Sequence, residues 1–469
     1  MPDLSTAQEI GLALVLMAVM LGVGWWLRRR LRALQALHVP ASVVTGFVIL
    51  LLGPGVLGAV TGTNGLFPER VLEVWRVLPG LLINVVFAAI LIGKTLPAAR
   101  DVWRAAAPHA IFGSFLSFGQ FALGGLLVMT LLGPVFGVAP EAGALLEMSF
   151  AGGHGTIAGM GGLLEDAGAP ELVDVGLGLA TVSMLTGVIV GTWLVRWAIT
   201  SPRVQVARSS LPSADDVDVD QLHIAPVDEP EDDRSSGIHA LTLACSLIGL
   251  AIVLAIVLLW SSRWIGALLG SDLLDSFPLF PVTVIGGAIV QLAVSRTRAA
   301  PQVDKRAVEG LSAIALDTLV ASAIGTMSLA TLGANLPAMF GFTVVGVAWS
   351  VVSLRWLAPR LHGRGWFEHA VADFGQSQGN VATGFVLADM VDPRRRTSAA
   401  NDYGYKQLIY EPLLGGGILT ALAVPLITDY GVVPFTVVAA LITLALAVWG
   451  VRRRSRLDRS PATSGALRG

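Results

Sequence analysis

Residues 148–168 read MSFAGGHGTIAGMGGLLEDAG. The run is apolar enough to lie in a bilayer, yet glycines and a histidine interrupt it too often for one crossing helix. Residues 373–393, DFGQSQGNVATGFVLADMVDP, have the same character. How these two stretches are threaded decides the fold.

The sequence around them belongs to a membrane. The chain has 469 residues, 54% hydrophobic and 14% charged, with a mean hydropathy of +0.72. Soluble domains carry about a quarter charged residues, so the composition predicts an all-α polytopic membrane protein in contact with lipid. Its net charge of −2 says nothing about partners, since the distribution of charge matters and the total does not, and no nucleic-acid partner is expected. The single cysteine, Cys245, excludes an intrachain disulfide. Apolar stretches of spanning length fall near 8–28, 41–60, 77–95, 109–133 and 173–197. The second half adds 239–260, 279–295, 309–332, 337–358, 408–427 and 433–451. The first run is followed by RRRLR at 28–32, whereas a cleavable leader carries its charge in front. It reads as a retained helix.

Charge then settles the threading. With the N-terminus outside and both glycine stretches entering and leaving on one side, 28 of the 31 basic residues fall on the cytoplasmic side. Only Arg70, Arg76 and Arg263 fall outside. Counting either stretch as a full crossing inverts everything after it and destroys the asymmetry. Both are therefore expected to be re-entrant, at 145–165 and 371–391. The expected location is a bacterial cytoplasmic (inner) membrane, with the C-terminus in the cytoplasm. The acidic segment 201–237 reads as a disordered cytoplasmic linker, and 452–469 as a disordered basic tail.

The two halves repeat. PASVVTGFVI at 40–49 lies against PVTVIGGAIV at 281–290, and Phe150, Gly155, Ala158 and Leu163 align with Phe374, Gly379, Ala382 and Leu387. Each half has five spans and a re-entrant segment. Because five is odd, the second copy is inverted, the layout of many secondary transporters. The expected domains are repeats at 1–200 and 238–428 flanking the linker, then an extra helix at 429–451.

Irregular backbone at membrane depth survives only where protein or a water-filled cavity satisfies it. The run after GGHG is expected to start a half-helix near Thr156, and the run after QSQG one near Asn380. Their N–H groups would face an anion. Unwound carbonyls and the side chains of Ser149, Thr156, Ser377, Gln378 and Asn380 would suit a dehydrated cation. Close helix packing through small residues also explains the glycines, but not the clustered His154, Gln376, Gln378 and Asn380. Asp317, the deepest acid in a span, is a candidate for cation or proton coordination, with a helix–helix hydrogen bond as the other reading. Asn84 is its counterpart in the first half. Tyr410, Glu411, His109 and His239 stand at span ends and read as interfacial.

At SFAGGHGTIAGM (149–160), FGQSQGNVATG (374–384) and YGYKQLIYEPLLGGG (403–417) the chain resembles the bacterial sodium:glutamate symporter family, with a likeness in span order over about 8–430. The resemblance implies sodium-coupled uptake of an acidic amino acid, no organic cofactor, and a homodimer. It points to Gly152, Gly153, His154, Gly155 and Thr156 in the first half, and to Gln376, Ser377, Gly379 and Asn380 in the second. Substrate binding is assigned to Gly153, His154, Gly155, Thr156, Ser377, Gly379 and Asn380. Cation coupling is assigned to Ser149, Gln376, Gln378, Asp317 and Asn84. No Arg or Lys lies deep in a span of this topology, so nothing basic meets glutamate's second carboxylate, and a similar small organic anion stays open. A cation:proton antiporter using Asp317 and His154 is the alternative. An intramembrane enzyme is remote, since no Gly-x-Ser-x-Gly setting or metal-spaced histidine pair occurs.

Overall fold

The computed structural model describes residues 5–36, 39–94, 99–201, 237–268, 278–297, 303–363, 365–393 and 396–458. The expected acidic linker lies outside these residues apart from its two ends, as does the expected tail from 459 onward.

The regular elements among the described residues are all helices, without strands. The first half contains α1 (Thr6–Arg30), α2 (Ala41–Leu52), α3 (Glu69–Ala89), α4 (Ala99–Leu127), the short α5 (Leu145–Phe150) and α6 (Gly153–Gly159), and α7 (Glu171–Thr200). The second half opens with α8 (Gly237–Leu268), α9 (Leu279–Ser295), α10 (Lys305–Gly325) and α11 (Leu336–Trp356). It continues with α12 (Trp366–Ser377), α13 (Val381–Val391), α14 (Ala399–Tyr410), α15 (Ile418–Tyr430) and α16 (Val432–Asp458). Among the described residues nine helices are long and apolar enough to cross a membrane. The chain is a multi-pass membrane protein.

Three expected features come out differently. The span at 408–427 is two helices, α14 and α15, separated at 411–417. Pro412 cannot continue a helix, and Gly415 and Gly416 take positive φ of 65° and 108°. The span at 309–332 ends at Gly325, and Ser328 caps a separate helix, Leu329–Ala334, by accepting from the Thr331 N–H at 3.2 Å. Residues 452–458, expected in the tail, continue α16.

The chain divides into two compact units that each draw on both halves. Unit 1 comprises 1–96, 154–178 and 225–336, and unit 2 comprises 97–153, 179–224 and 337–469. In unit 1, Ala13, Met17 and Met20 of α1 pack with Ile49, Leu72, Trp75 and Ala321, and the Trp75 indole donates to the Ala13 carbonyl at 2.9 Å. Glycines let its helices touch backbone to backbone: a Cβ on Gly286 would lie 2.1 Å from the Ala251 oxygen, and one on Gly287 2.4 Å from the Ala88 oxygen. Where α2 crosses α10, a Cβ on Gly46 would lie 2.6 Å from that of Ile324. Gly46→Leu should therefore cost at least about 1–3 kcal/mol of stability, seen as an earlier loss of the monodisperse chromatographic peak on heating. Cys245 is exposed on α8. The core of unit 2 gathers Phe112 and Phe115 of α4, Leu194 and Val195 of α7, Phe367 and Phe374 of α12, and Leu387 of α13.

Candidate functional site

The second glycine string makes the sharper break, and all of it lies in unit 2. Helix α12 stops at Ser377, Gln378 and Gly379 turn, and Asn380 starts α13 as its N-cap. The Asn380 side-chain oxygen accepts from the Thr383 N–H at 2.9 Å and from the Thr383 hydroxyl at 3.2 Å. The expected half-helix start at Asn380 is thus where the sequence puts it. Helix geometry leaves the N–H groups of Val381 and Ala382 without a carbonyl inside α13. The two arms then pack glycine on glycine, since a Cβ on Gly375 would lie 2.8 Å from the Gly384 Cα.

The first string breaks at Ala151 and Gly152, and α6 begins at Gly153, three residues before the expected Thr156. Gly153 has φ +74°, the left-handed region that other residues resist, and a Cβ there would lie 3.0 Å from the Gly379 carbonyl oxygen. Within unit 2, therefore, the backbones of the two strings approach each other at these glycines. From His154 onward the first string belongs to unit 1. His154 and Thr156 are buried there, while Gly155 lies against Ile83, Leu316 and Leu319. Those contacts set α6 beside the chain neighbours of Asn84 and Asp317.

The candidates divide accordingly. Unit 2 holds Ser149, Gly153, Gln376, Ser377, Gln378, Gly379 and Asn380, and unit 1 holds Asn84, His154, Gly155, Thr156 and Asp317. Asp317 is exposed on α10. The Asn84 amide nitrogen donates to the Gly80 and Leu81 carbonyls at 2.9 and 3.1 Å, and its oxygen is buried with no hydrogen-bond partner. Ser149 is fully buried and its hydroxyl has no partner. Gln378 donates to the Ser350 hydroxyl at 2.7 Å and to the Gly346 carbonyl at 3.1 Å, leaving its own oxygen unpartnered. The Ser377 hydroxyl donates to the Phe374 carbonyl at 2.9 Å, and the Ser377 carbonyl accepts from Gln120 at 2.8 Å.

Gln376 holds a cation, but one attached to the chain. The Lys406 ammonium, 1% exposed, donates to Gln376 Oε1 at 2.7 Å and to Asp373 Oδ1 at 2.8 Å. It also stands 3.9 Å from the centroid of the Tyr410 ring. His109, fully buried, donates through Nδ1 to Asp373 Oδ2 at 2.7 Å. Gln376 and Gln407 exchange amide hydrogen bonds of 3.0 and 3.1 Å. The Tyr410 hydroxyl meets that of Ser117, and Glu147, also fully buried, accepts from the Gly415 N–H at 3.0 Å and the Thr420 hydroxyl at 3.2 Å.

These contacts correct the expectation that no basic residue is deep and that His109 and Tyr410 are interfacial. The buried lysine does not face a substrate carboxylate in this arrangement, because Asp373 already neutralises it. A signal for this group was present in the sequence. Tyr403, Lys406, Gln407 and Tyr410 follow the i, i+3, i+4, i+7 spacing of one helix face, and Asp373, Gln376 and Ser377 follow the same rule. Glu147 stands two residues before the first string's Ser149, as Asp373 stands one before Phe374.

A family model described as sodium/glutamate symporter matches residues 7–364 of this chain. The match takes in the first string and ends before the second at 374–384 and the lysine-bearing 403–417. No curated protein matches the chain.

Proposed function

This chain belongs to the sodium/glutamate symporter family, and from that membership we propose that it carries L-glutamate or a similar small organic anion across the bacterial inner membrane, driven by sodium. A transporter family agrees with a chain that is not an enzyme, and it does not favour the antiporter reading built on Asp317 and His154.

The observation that carries the substrate reading is the capped start of α13. Eleven residues of helix begin at Val381 behind the Asn380 cap, giving a partial positive pole with unclaimed N–H groups. The Gly153 backbone approaches the Gly379 carbonyl beside it. Helix α6, with seven residues, offers a weaker pole. Gly153, Ser377, Gly379 and Asn380 are accordingly the proposed substrate contacts of unit 2. The same reading holds the repeats at 1–200 and 238–428 to be inverted and their broken segments re-entrant from opposite faces. It keeps the N-terminus outside and the working form a homodimer. Coupling is thermodynamic: bound sodium completes the anion site, so that the two cross together.

The test is uptake of labelled L-glutamate into proteoliposomes with and without an inward sodium gradient. Sodium-dependent accumulation is expected, and its absence from well-reconstituted protein would discard glutamate as the substrate. Asn380→Ala removes the cap, worth about 1 kcal/mol, as well as the amide, whereas Asn380→Ser keeps a capping oxygen. Both should lower uptake at subsaturating substrate at least tenfold, the serine variant with wild-type thermal stability. Wild-type uptake by Asn380→Ser would reduce Asn380 to a cap. Thr156→Ala is the matching test of the first string, with a similar loss expected.

A further inference from the structure

We infer that Glu147 is the charged ligand of a sodium site inside unit 2, an assignment that rests on the sodium-coupled reading above and names the residue that takes up the ion. Glu147 lies on α5, every residue of which is buried. Its carboxyl group is half satisfied. Oε1 accepts the Gly415 N–H and the Thr420 hydroxyl, while Oε2 is buried and has no hydrogen-bond partner.

Neither does a side-chain cation compensate it. The buried ammonium of Lys406 is held by Asp373, and Asp373 also takes the His109 ring. Among the described residues no salt bridge is formed by Glu147. An ionised carboxylate removed from water without a counter-charge costs several kcal/mol, so a cation from outside the chain has a large electrostatic advantage here. The neighbouring groups offer the hard oxygens that an alkali ion takes. On α4 the Ser117 hydroxyl faces the same carboxyl. One turn further, Gln120 spends its amide nitrogen on the Ser377 carbonyl and leaves its oxygen buried and unpartnered. A proton on Oε2 would answer the carboxyl alone. A sodium ion also gives the buried oxygen of Gln120 something to coordinate.

Glu147 Oε1 holds Gly415 and Thr420, on either side of the start of α15. The ion site therefore sits on the same carboxyl that fixes the glycine break between α14 and α15, and occupation of Oε2 bears on that break directly.

The experiment is binding of radiolabelled sodium to the purified full-length protein in detergent, without any organic substrate and with choline as the balancing cation. Wild type is expected to bind sodium saturably, and Glu147→Gln at least tenfold more weakly. Equal binding by the two proteins, or no saturable binding by wild type, overturns the assignment. A second measurement needs no variant. Sodium, but not choline, should slow modification of Glu147 by a hydrophobic carbodiimide, read by peptide mass spectrometry, and one rate in both salts overturns the assignment as well. Sodium binding lost in Glu147→Gln while wild type accumulates no glutamate would uphold this site and sink the glutamate reading.

Discussion

Exchanging Asp373 for asparagine should lower the stability of the purified protein by about 3–5 kcal/mol, and adding Lys406→Met should restore most of it. The single exchange changes little in shape but leaves a buried ammonium, 1% exposed, without its carboxylate at 2.8 Å. The amide also keeps only one acceptor oxygen where the carboxylate served both Lys406 and His109. Nothing on the solvent side can rescue a charge at that depth. Methionine at 406 removes the charge and fills much of the same volume between the Tyr403 and Tyr410 rings, so the double variant carries no stranded ion. The measurement is the apparent thermal midpoint in one detergent at one scan rate, for wild type, both single variants and the double. A wild-type midpoint for Asp373→Asn, or a double variant no better than the worse single one, would mean that the pair does not hold α12 to α14 as described.

The second large effect is steric. A Cβ on Gly384 would lie 2.3 Å from the Tyr403 hydroxyl and 2.6 Å from the Ala372 carbonyl oxygen, and backbone cannot move aside as a side-chain tip can. Gly384→Ala should therefore push α12 and α13 apart, destabilising the chain by about 1–3 kcal/mol and lowering uptake per folded molecule at least tenfold. Gly375→Ala should behave alike, because a Cβ there would lie 2.8 Å from the Gly384 Cα and nitrogen. Gly162→Ala supplies the contrast, because a Cβ there meets nothing within 4 Å, and it should transport as wild type does. Equal uptake by the Gly384 and Gly162 variants would show that close packing of the two arms is dispensable.

These two predictions also mark where reading the sequence was sufficient and where it was not. The long spans were legible because membrane burial writes itself as length and apolar composition, and both glycine strings do interrupt helices. The Asn380 start was legible because an asparagine before an apolar run is a cap by local chemistry. The first string was placed three residues late because Gly153 enters its helix from a positive-φ turn, which no polar capping side chain announces. The break at 411–417 was overlooked because Leu413 and Leu414 keep the hydropathy high across Pro412 and Gly415–Gly417. Lys406 was counted among the basic residues of the cytoplasmic side for a related reason. A lysine near a span end is ordinarily solvated, and only its partners, Asp373 and Gln376, distant in the chain, make burial tolerable. Glu147 is the same case without a counter-charge. Composition reveals that a chain enters the membrane, but which acids and bases go in together is settled by tertiary pairing.

The solitary thiol of Cys245, exposed on α8, has a practical consequence for sidedness. One substitution, Cys245→Ser, removes every native thiol from the chain, so any cysteine added afterwards reports only its own position. Thr63, in the segment between α2 and α3, and Ser398, just before α14, are both exposed, and the expected threading sets them on opposite faces of the bilayer. An impermeant maleimide applied to sealed cells can then be read one residue at a time, turning the threading inferred from arginine distribution into a map made by chemical access.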